Sequence, residues 1–345
     1  MDQTLTAARM RRRRILFVLL FAGALITFLL NIALGSVQIS LSEVCRVILG
    51  KVEDISNSHQ NIVRVIRLPR ALATVAGGMC LAVSGLLLQI FFSNPIVEPY
   101  VLGISSGSMM FVGLVVLGGY TFGMGSISPM GMFWGALAGA MLVMTVVVFA
   151  SGKVKSIVTL LVIGIMAGYV CSAVTSMLTT FADKEAIAGF TMWTMGSFSG
   201  FTWQQVRILL CITALFSVAA LLMSKPLNAL LLGELYAQSL GVGIKLFRIL
   251  IIVISSVLTA VLTAFAGPIS FIGLAVPHIT RIAFGTSDNR ILLPGSMLAG
   301  ALLTGLCDLL ARTIFSPVEL PIGAITSFIG APLVVYMLMR RNNGL

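Results

Sequence analysis

Apolar runs of about 20 residues, each closed by a short polar or basic segment, repeat along the chain. That is the length a helix needs to cross a bilayer. The pattern predicts membrane helices near residues 15–35, 69–92, 100–119, 129–150, 156–180, 202–223, 247–266, 269–284, 292–311 and 321–339. The eighth run is the weakest in length and composition. Such runs are too long and continuous for barrel strands, and in lipid a helix satisfies its own backbone. The expectation is an all-α polytopic membrane protein of about ten transmembrane helices, one membrane domain over residues 1–345.

Composition agrees. Of 345 residues, 58% are hydrophobic and 10% charged, against roughly 25% charged in soluble domains. The net charge of +11 does not point to nucleic acid, because the basic residues flank apolar runs. With the N-terminus in the cytoplasm, the inner segments hold 14 basic residues: Arg9, Arg11, Arg12, Arg13, Arg14, Lys153, Lys155, Lys225, Lys245, Arg248, Arg281, Arg290, Arg340 and Arg341. The outer segments hold 8: Arg46, Lys51, Arg64, Arg67, Arg70, Lys184, Arg207 and Arg312. Both termini are therefore placed in the cytoplasm, with residues 1–14 as a basic N-terminus. The apolar stretch after Arg14 resembles a signal peptide. It exceeds the usual core of about 7–15 residues and no A-x-A-like site follows, so it reads as the first membrane helix.

Most soluble chemistry is excluded. There is no GxxxxGK[ST], HExxH or GxSxG, and the histidines are His59 and His278. Five scattered cysteines form no CxxC or Cys/His cluster, so no metal site is expected and they read as small apolar residues. Asp308 is the clear intramembrane acid, four residues before Arg312 and so facing it on one helix. That is thin support for an ion-coupled secondary transporter, which needs a relay of buried carboxylates or histidines. Gly131, Gly135 and Gly139 form a double GxxxG, and Gly164 and Gly168 another. They fit a tightly packed bundle or a subunit interface.

Three polar interruptions stand out. Ser93 to Gly107, SNPIVEPYVLGISSG, breaks a helix and frees backbone that can line a cavity or form an ordinary loop. In Lys225 to Arg248, residues Leu230, Leu231, Glu234 and Ala237 recur at helical spacing before Leu240-Gly241. This predicts a short amphipathic cytoplasmic helix, fitting a partner's groove or the bilayer surface. Gly267 to Gly285 holds Gly267-Pro268, Pro277-His278 and Arg281, a kinked helix whose freed carbonyl a neighbour must satisfy and which meets the cytoplasm at Arg281.

RLPR (Arg67 to Arg70), GGMCLAVSGLLLQ (Gly77 to Gln89), NPIVEPYVLGISSG (Asn94 to Gly107), LLGELYAQSLGV (Leu231 to Val242), GPISFIGLAVPHITR (Gly267 to Arg281), LLPGSMLAGALL (Leu292 to Leu303) and the stretch from Leu310 to Leu338 stand in one order along the chain. Together they resemble the FecCD family of ABC-transporter permeases. The resemblance implies a type II ABC importer permease fold in the bacterial inner membrane. It implies a second permease subunit, as a homodimer, two cytoplasmic ATPases and an extracytoplasmic binding protein. The cargo it implies is a ferric siderophore, or alternatively heme or cobalamin. The chain itself is expected to be no enzyme and to hold no cofactor; ATP and magnesium belong to the ATPase.

By motif, the resemblance places Gly233, Glu234, Ala237, Ser239, Leu240 and Gly241 in a coupling-helix segment (225–245) against the ATPase. It makes Arg67 and Arg312 docking residues for the binding protein. Asn94, Pro95, Pro99, Gly103, Ser105, Ser106 and Gly107 become candidates for the translocation pathway. Gly267, Pro268, Pro277, His278 and Arg281 shape a short helix starting near the outer face and ending at the cytoplasm. Val97 and Ser108 stand where the family often has alanine, and at the pathway they would tune the cargo.

Overall fold

The computed structural model describes residues 2–35, 37, 39–51, 55–121, 129–154 and 156–342; Lys155, counted above as an inner charge, lies outside them. The chain folds into α1 (Asp2–Ala33), α2 (Leu41–Ile48), α3 (Asn57–Asn61), a π-helical turn (Ile62–Arg67), α4 (Leu68–Phe91), a 3-10 turn (Pro99–Leu102), α5 (Ile104–Thr121), α6 (Pro129–Lys153) and α7 (Ile157–Phe181). It continues with α8 (Lys184–Thr194), α9 (Trp203–Leu222), α10 (Ser224–Leu230), α11 (Glu234–Ser239), α12 (Ile244–Ala266), α13 (Ile272–Phe284), α14 (Asn289–Thr313) and α15 (Ile322–Asn342). Seven helical stretches are long and apolar enough to span a membrane, and three shorter apolar helices lie at Ile104–Leu117, Ile272–Phe284 and Ile322–Pro332. Together they occupy the ten places read from the hydrophobic pattern.

The helix α4 is the axis of the bundle. Its span is 83% buried, against 17% for α1 and 22% for α7 at the periphery, and it packs on α9, α12, α13 and α14. Small residues permit this. A side chain at Gly78 would strike the Gly300 carbonyl, and one at Gly85 the Gly273 carbonyl. Backbones approach this closely only where no Cβ intervenes. The GxxxG glycines serve the same purpose inside the chain: Gly139 lies on the Gly107 backbone of α5, Gly164 on Leu102, and Gly168 on Gly103.

Polar groups divide the bundle into two ends. At one, Arg70 near the start of α4 pairs with Asp308 of α14 (2.9 Å) and Glu319 (2.9 Å). At the other, Asn228 of α10 donates to the Asp288 carboxylate (2.7 Å), and its side-chain oxygen accepts from the Asn289 backbone (2.8 Å). The expected Asp308–Arg312 pairing within one helix does not form. Arg70 reaches Asp308 through both Nε and Nη2, and this planar two-point contact outcompetes a neighbour on the same helix.

Candidate translocation and coupling site

Two interruptions of the sequence meet in space. After α12, residues 267–271 leave the helix. Gly267 has φ of 73°, and a side chain there would collide with the Trp193 carbonyl, so both its conformation and its surroundings call for glycine. Phe271 also has a positive φ, 70°, unusual for a bulky residue. The segment is non-helical, and α13 begins beside Gly85, about three-quarters of the way along the 24-residue α4. This corrects the expectation of a short helix starting near the outer face: non-helical backbone can advance farther per residue than the about 1.5 Å of a helix.

The linker between α4 and α5 holds that start in place. Glu98 accepts a hydrogen bond from the backbone N–H of Phe271 (2.5 Å), and the Tyr100 hydroxyl accepts one from that of Ile269 (2.9 Å). Non-helical backbone at membrane depth persists only when protein supplies such partners. The carboxylate of Glu98 also faces the N-terminal end of α13, where negative charge is stabilised. Pro277, buried within α13, has no N–H for the carbonyl of Gly273 four residues earlier. The side-chain amide of Gln89 donates there instead (3.3 Å) and to the Leu274 carbonyl (3.1 Å). His278 and Arg281 are half-buried further along the helix, which closes at Gly285 in a left-handed cap.

The pathway candidates fall into two groups. Asn94 closes a tight turn by accepting the Ile96 N–H (3.0 Å), and Pro95 stands half-buried in that turn. Pro99 packs on Gly273. Gly103, Ser105 and Gly107 are buried in helix contacts. Ser106 alone reaches an exposed polar face, accepting a long hydrogen bond from Ser172 of α7 (3.5 Å). On that face Tyr169, Ser172, Ser176 and Thr180 follow one another at helical spacing, and all four are exposed. Val97 and Ser108 are buried, the Ser108 hydroxyl donating to the Ala136 carbonyl (2.9 Å), so both belong to packing.

At the cytoplasmic end the segment expected to couple to the ATPase forms two short helices, α10 and α11. Gly233 (φ 112°) and Gly241 (φ 84°) turn the chain on either side of α11. Ala237 is buried, and the Ser239 hydroxyl donates back to the Tyr236 carbonyl (2.8 Å). Glu234 binds Arg248 of α12 (2.5 Å), fixing α11 to that long helix. Leu232, Leu235, Tyr236 and Leu240 stand exposed, Leu235 at 85%. An exposed apolar cluster of that kind suits a partner's groove or the bilayer surface.

At the outer end, Arg67 and Arg312 are buried, at 5% and 6% exposure. Arg67 donates to the carbonyls of Ile32 (2.9 Å), Ala33 (2.6 Å) and Val37, satisfying the open C-terminus of α1. Arg312 donates to the Asn31 backbone carbonyl and to Asn31 Oδ1 (2.8 Å). The basic residues exposed at this end include Arg46, Lys51 and Arg64. Sequence reasoning passed over Gln89, Glu98 and Tyr100. The one signal was position: each stands in or beside the NPIVEPY interruption.

The comparisons agree with this architecture. The FecCD transport family matches residues 23–340. The vitamin B12 import system permease protein BtuC of Klebsiella pneumoniae is 35% identical over 343 residues, covering 99% of this chain and 98% of the relative. The hemin transport system permease protein HmuU of Yersinia pestis is 35% identical over 331 residues, covering 93% and 96%. A solved inward-facing metal-chelate type ABC transporter superposes with a TM-score of 0.83 at 32% identity, covering 95% of this chain and 99% of its own. The chain belongs to the FecCD transport family.

Proposed function

We propose that this ABC importer permease carries a ferric siderophore across the inner membrane by alternating access, working as a homodimer with two ATPases and an extracytoplasmic binding protein. The observation that carries the cargo class is the outward face of α7, where Tyr169, Ser172, Ser176 and Thr180 line up with Met166 and Met177. Hydroxyls and thioethers grip the outside of a chelate without stripping its metal, whereas a bare cation calls for hard oxygen or imidazole ligands. The B12 and hemin relatives stand at the same 35% identity, which favours neither of their cargoes over a third chelate.

In this mechanism ATP binding closes the ATPases beneath the coupling segments. The Glu234–Arg248 pair passes the movement to α12, and the Asn228 contacts pass it to α14. ATP drives the change because it binds the closed state better, the only way a ligand shifts a conformational equilibrium. Outside, the exposed Arg46, Lys51 and Arg64 attract an acidic binding protein, and Arg67 and Arg312 exchange the carbonyls of α1 for its carboxylates.

The test is growth of a strain lacking this chain on single sources: several ferric siderophores, heme, and cobalamin where required. Loss on one siderophore, restored by the chain, supports the reading. Loss confined to heme or cobalamin overturns the siderophore assignment.

A further inference from the structure

The cytoplasmic end of α1 carries a concentration of charge that importer function does not use. Arg9 and Arg11 to Arg14 lie within one unbroken helix, so their side chains encircle it. Arg11, Arg12 and Arg14 are exposed and Arg13 half-buried. Among the described residues no carboxylate forms an ion pair with any of these four.

Their depth is fixed from the other end. Arg67 binds the carbonyls of Ile32 and Ala33 and so anchors the outer end of α1. At about 1.5 Å per residue, Arg14 lies roughly 28 Å and Arg11 roughly 33 Å from Ala33 along the helix. The hydrocarbon core is about 30 Å thick, which brings the arginine turn to the phosphate layer of the inner leaflet. A groove of about 550 Å³ opens here between Ala8, Arg11, Arg12, Ile15 and Leu16. It is basic at its cytoplasmic end and apolar toward the membrane, the polarity of a phospholipid.

This end of α1 also touches α13. Arg12 donates to the Ala283 carbonyl in the last turn of α13 (3.1 Å), and Phe17 packs on Phe284 with ring centroids 4.7 Å apart. The chain then passes from Gly285 to Asp288 and Asn289, which Asn228 of the coupling segment holds.

We infer that the Arg11–Arg14 turn is a binding site for the headgroup of an anionic phospholipid in the cytoplasmic leaflet, set where an occupied headgroup braces the α1–α13 contact next to the coupling segment. Such polybasic turns beside a membrane helix attract anionic lipid.

The full-length chain is reconstituted in nanodiscs of equal phosphatidylglycerol and phosphatidylcholine, and the lipids it retains on release are counted by native mass spectrometry. The wild type is expected to retain phosphatidylglycerol several-fold over phosphatidylcholine. R11Q/R14Q, which leaves the Arg12 contact intact, should bring that ratio down toward one, and R11K/R14K should keep it. A C-terminal topology reporter checks that each variant inserts correctly. Equal retention of the two lipids by the wild type overturns the inference without recourse to any variant. So does an unchanged ratio in a correctly inserted R11Q/R14Q. Loss of the enrichment in millimolar inorganic phosphate would show a free-anion site instead and overturn it as well.

Discussion

The side-chain amide of Gln89 donates to the carbonyl of Gly273, 3.3 Å away, the carbonyl that Pro277 leaves without a helical partner. One element of the bundle thereby repairs the break in another. Gln89→Leu strands the Gly273 carbonyl in a buried place and should cost about 1–3 kcal/mol. In a Pro277→Ala background the substituted residue supplies its own N–H to the Gly273 carbonyl, and the same change should cost less. Thermal unfolding of the four proteins in detergent measures the coupling; strictly additive losses would contradict it. Pro277→Ala should also lower uptake more than it lowers the amount of chain in the membrane.

Arg70 and Asp308 form a buried pair of 9% and 1% side-chain exposure. Removing one partner leaves an uncompensated charge. Asp308→Asn or Arg70→Met alone should destabilise by about 3–5 kcal/mol, and the joint replacement Arg70→Met with Asp308→Leu by far less. The same unfolding assay shows it, and a double variant as unstable as the singles would refute the pairing.

The close approaches along α4 predict opposite outcomes for two glycine-to-alanine changes. At Gly85 the new methyl meets the Gly273 backbone, and α4 and α13 must separate, a loss of about 1–3 kcal/mol or more. At Gly189 in α8 nothing lies within 4 Å, so alanine should stabilise by about 0.5–1 kcal/mol. Melting temperatures moving in the same direction would contradict the packing described here.

Glu234 and Leu235 are neighbours with different duties. Arg248→Gln breaks the α11–α12 tie and should reduce uptake while the ATPase still copurifies. Leu235→Asp should abolish copurification, because it charges the middle of the apolar surface. Retention of the ATPase by Leu235→Asp would move the partner surface elsewhere.

The helices were legible because hydrophobic run length is a local property. So was a short helix ahead of Gly241, observed as α11. What escaped is tertiary. Asp308 shares a helical face with Arg312, yet binds Arg70, 238 residues away. Nothing in the order of residues tells that a guanidinium from α4 reaches it first. Likewise Gly103 and Gly107 read as free backbone, whereas each packs on another helix. Glu98 stood in plain view between two prolines, but its role depends on where residues 267–271 run.

The most direct measurement of the central claim is energy-dependent uptake of an iron-55-labelled ferric siderophore by cells lacking this chain and carrying either the wild type or Gly241→Val. Position 241 has φ of 84°, and valine there should distort the coupling turn. The account predicts that the wild type restores uptake, that depleting ATP stops it while an ionophore alone does not, and that Gly241→Val inserts but does not transport. Uptake that survives ATP depletion and collapses with the ionophore, or proceeds equally with Gly241→Val, would contradict it.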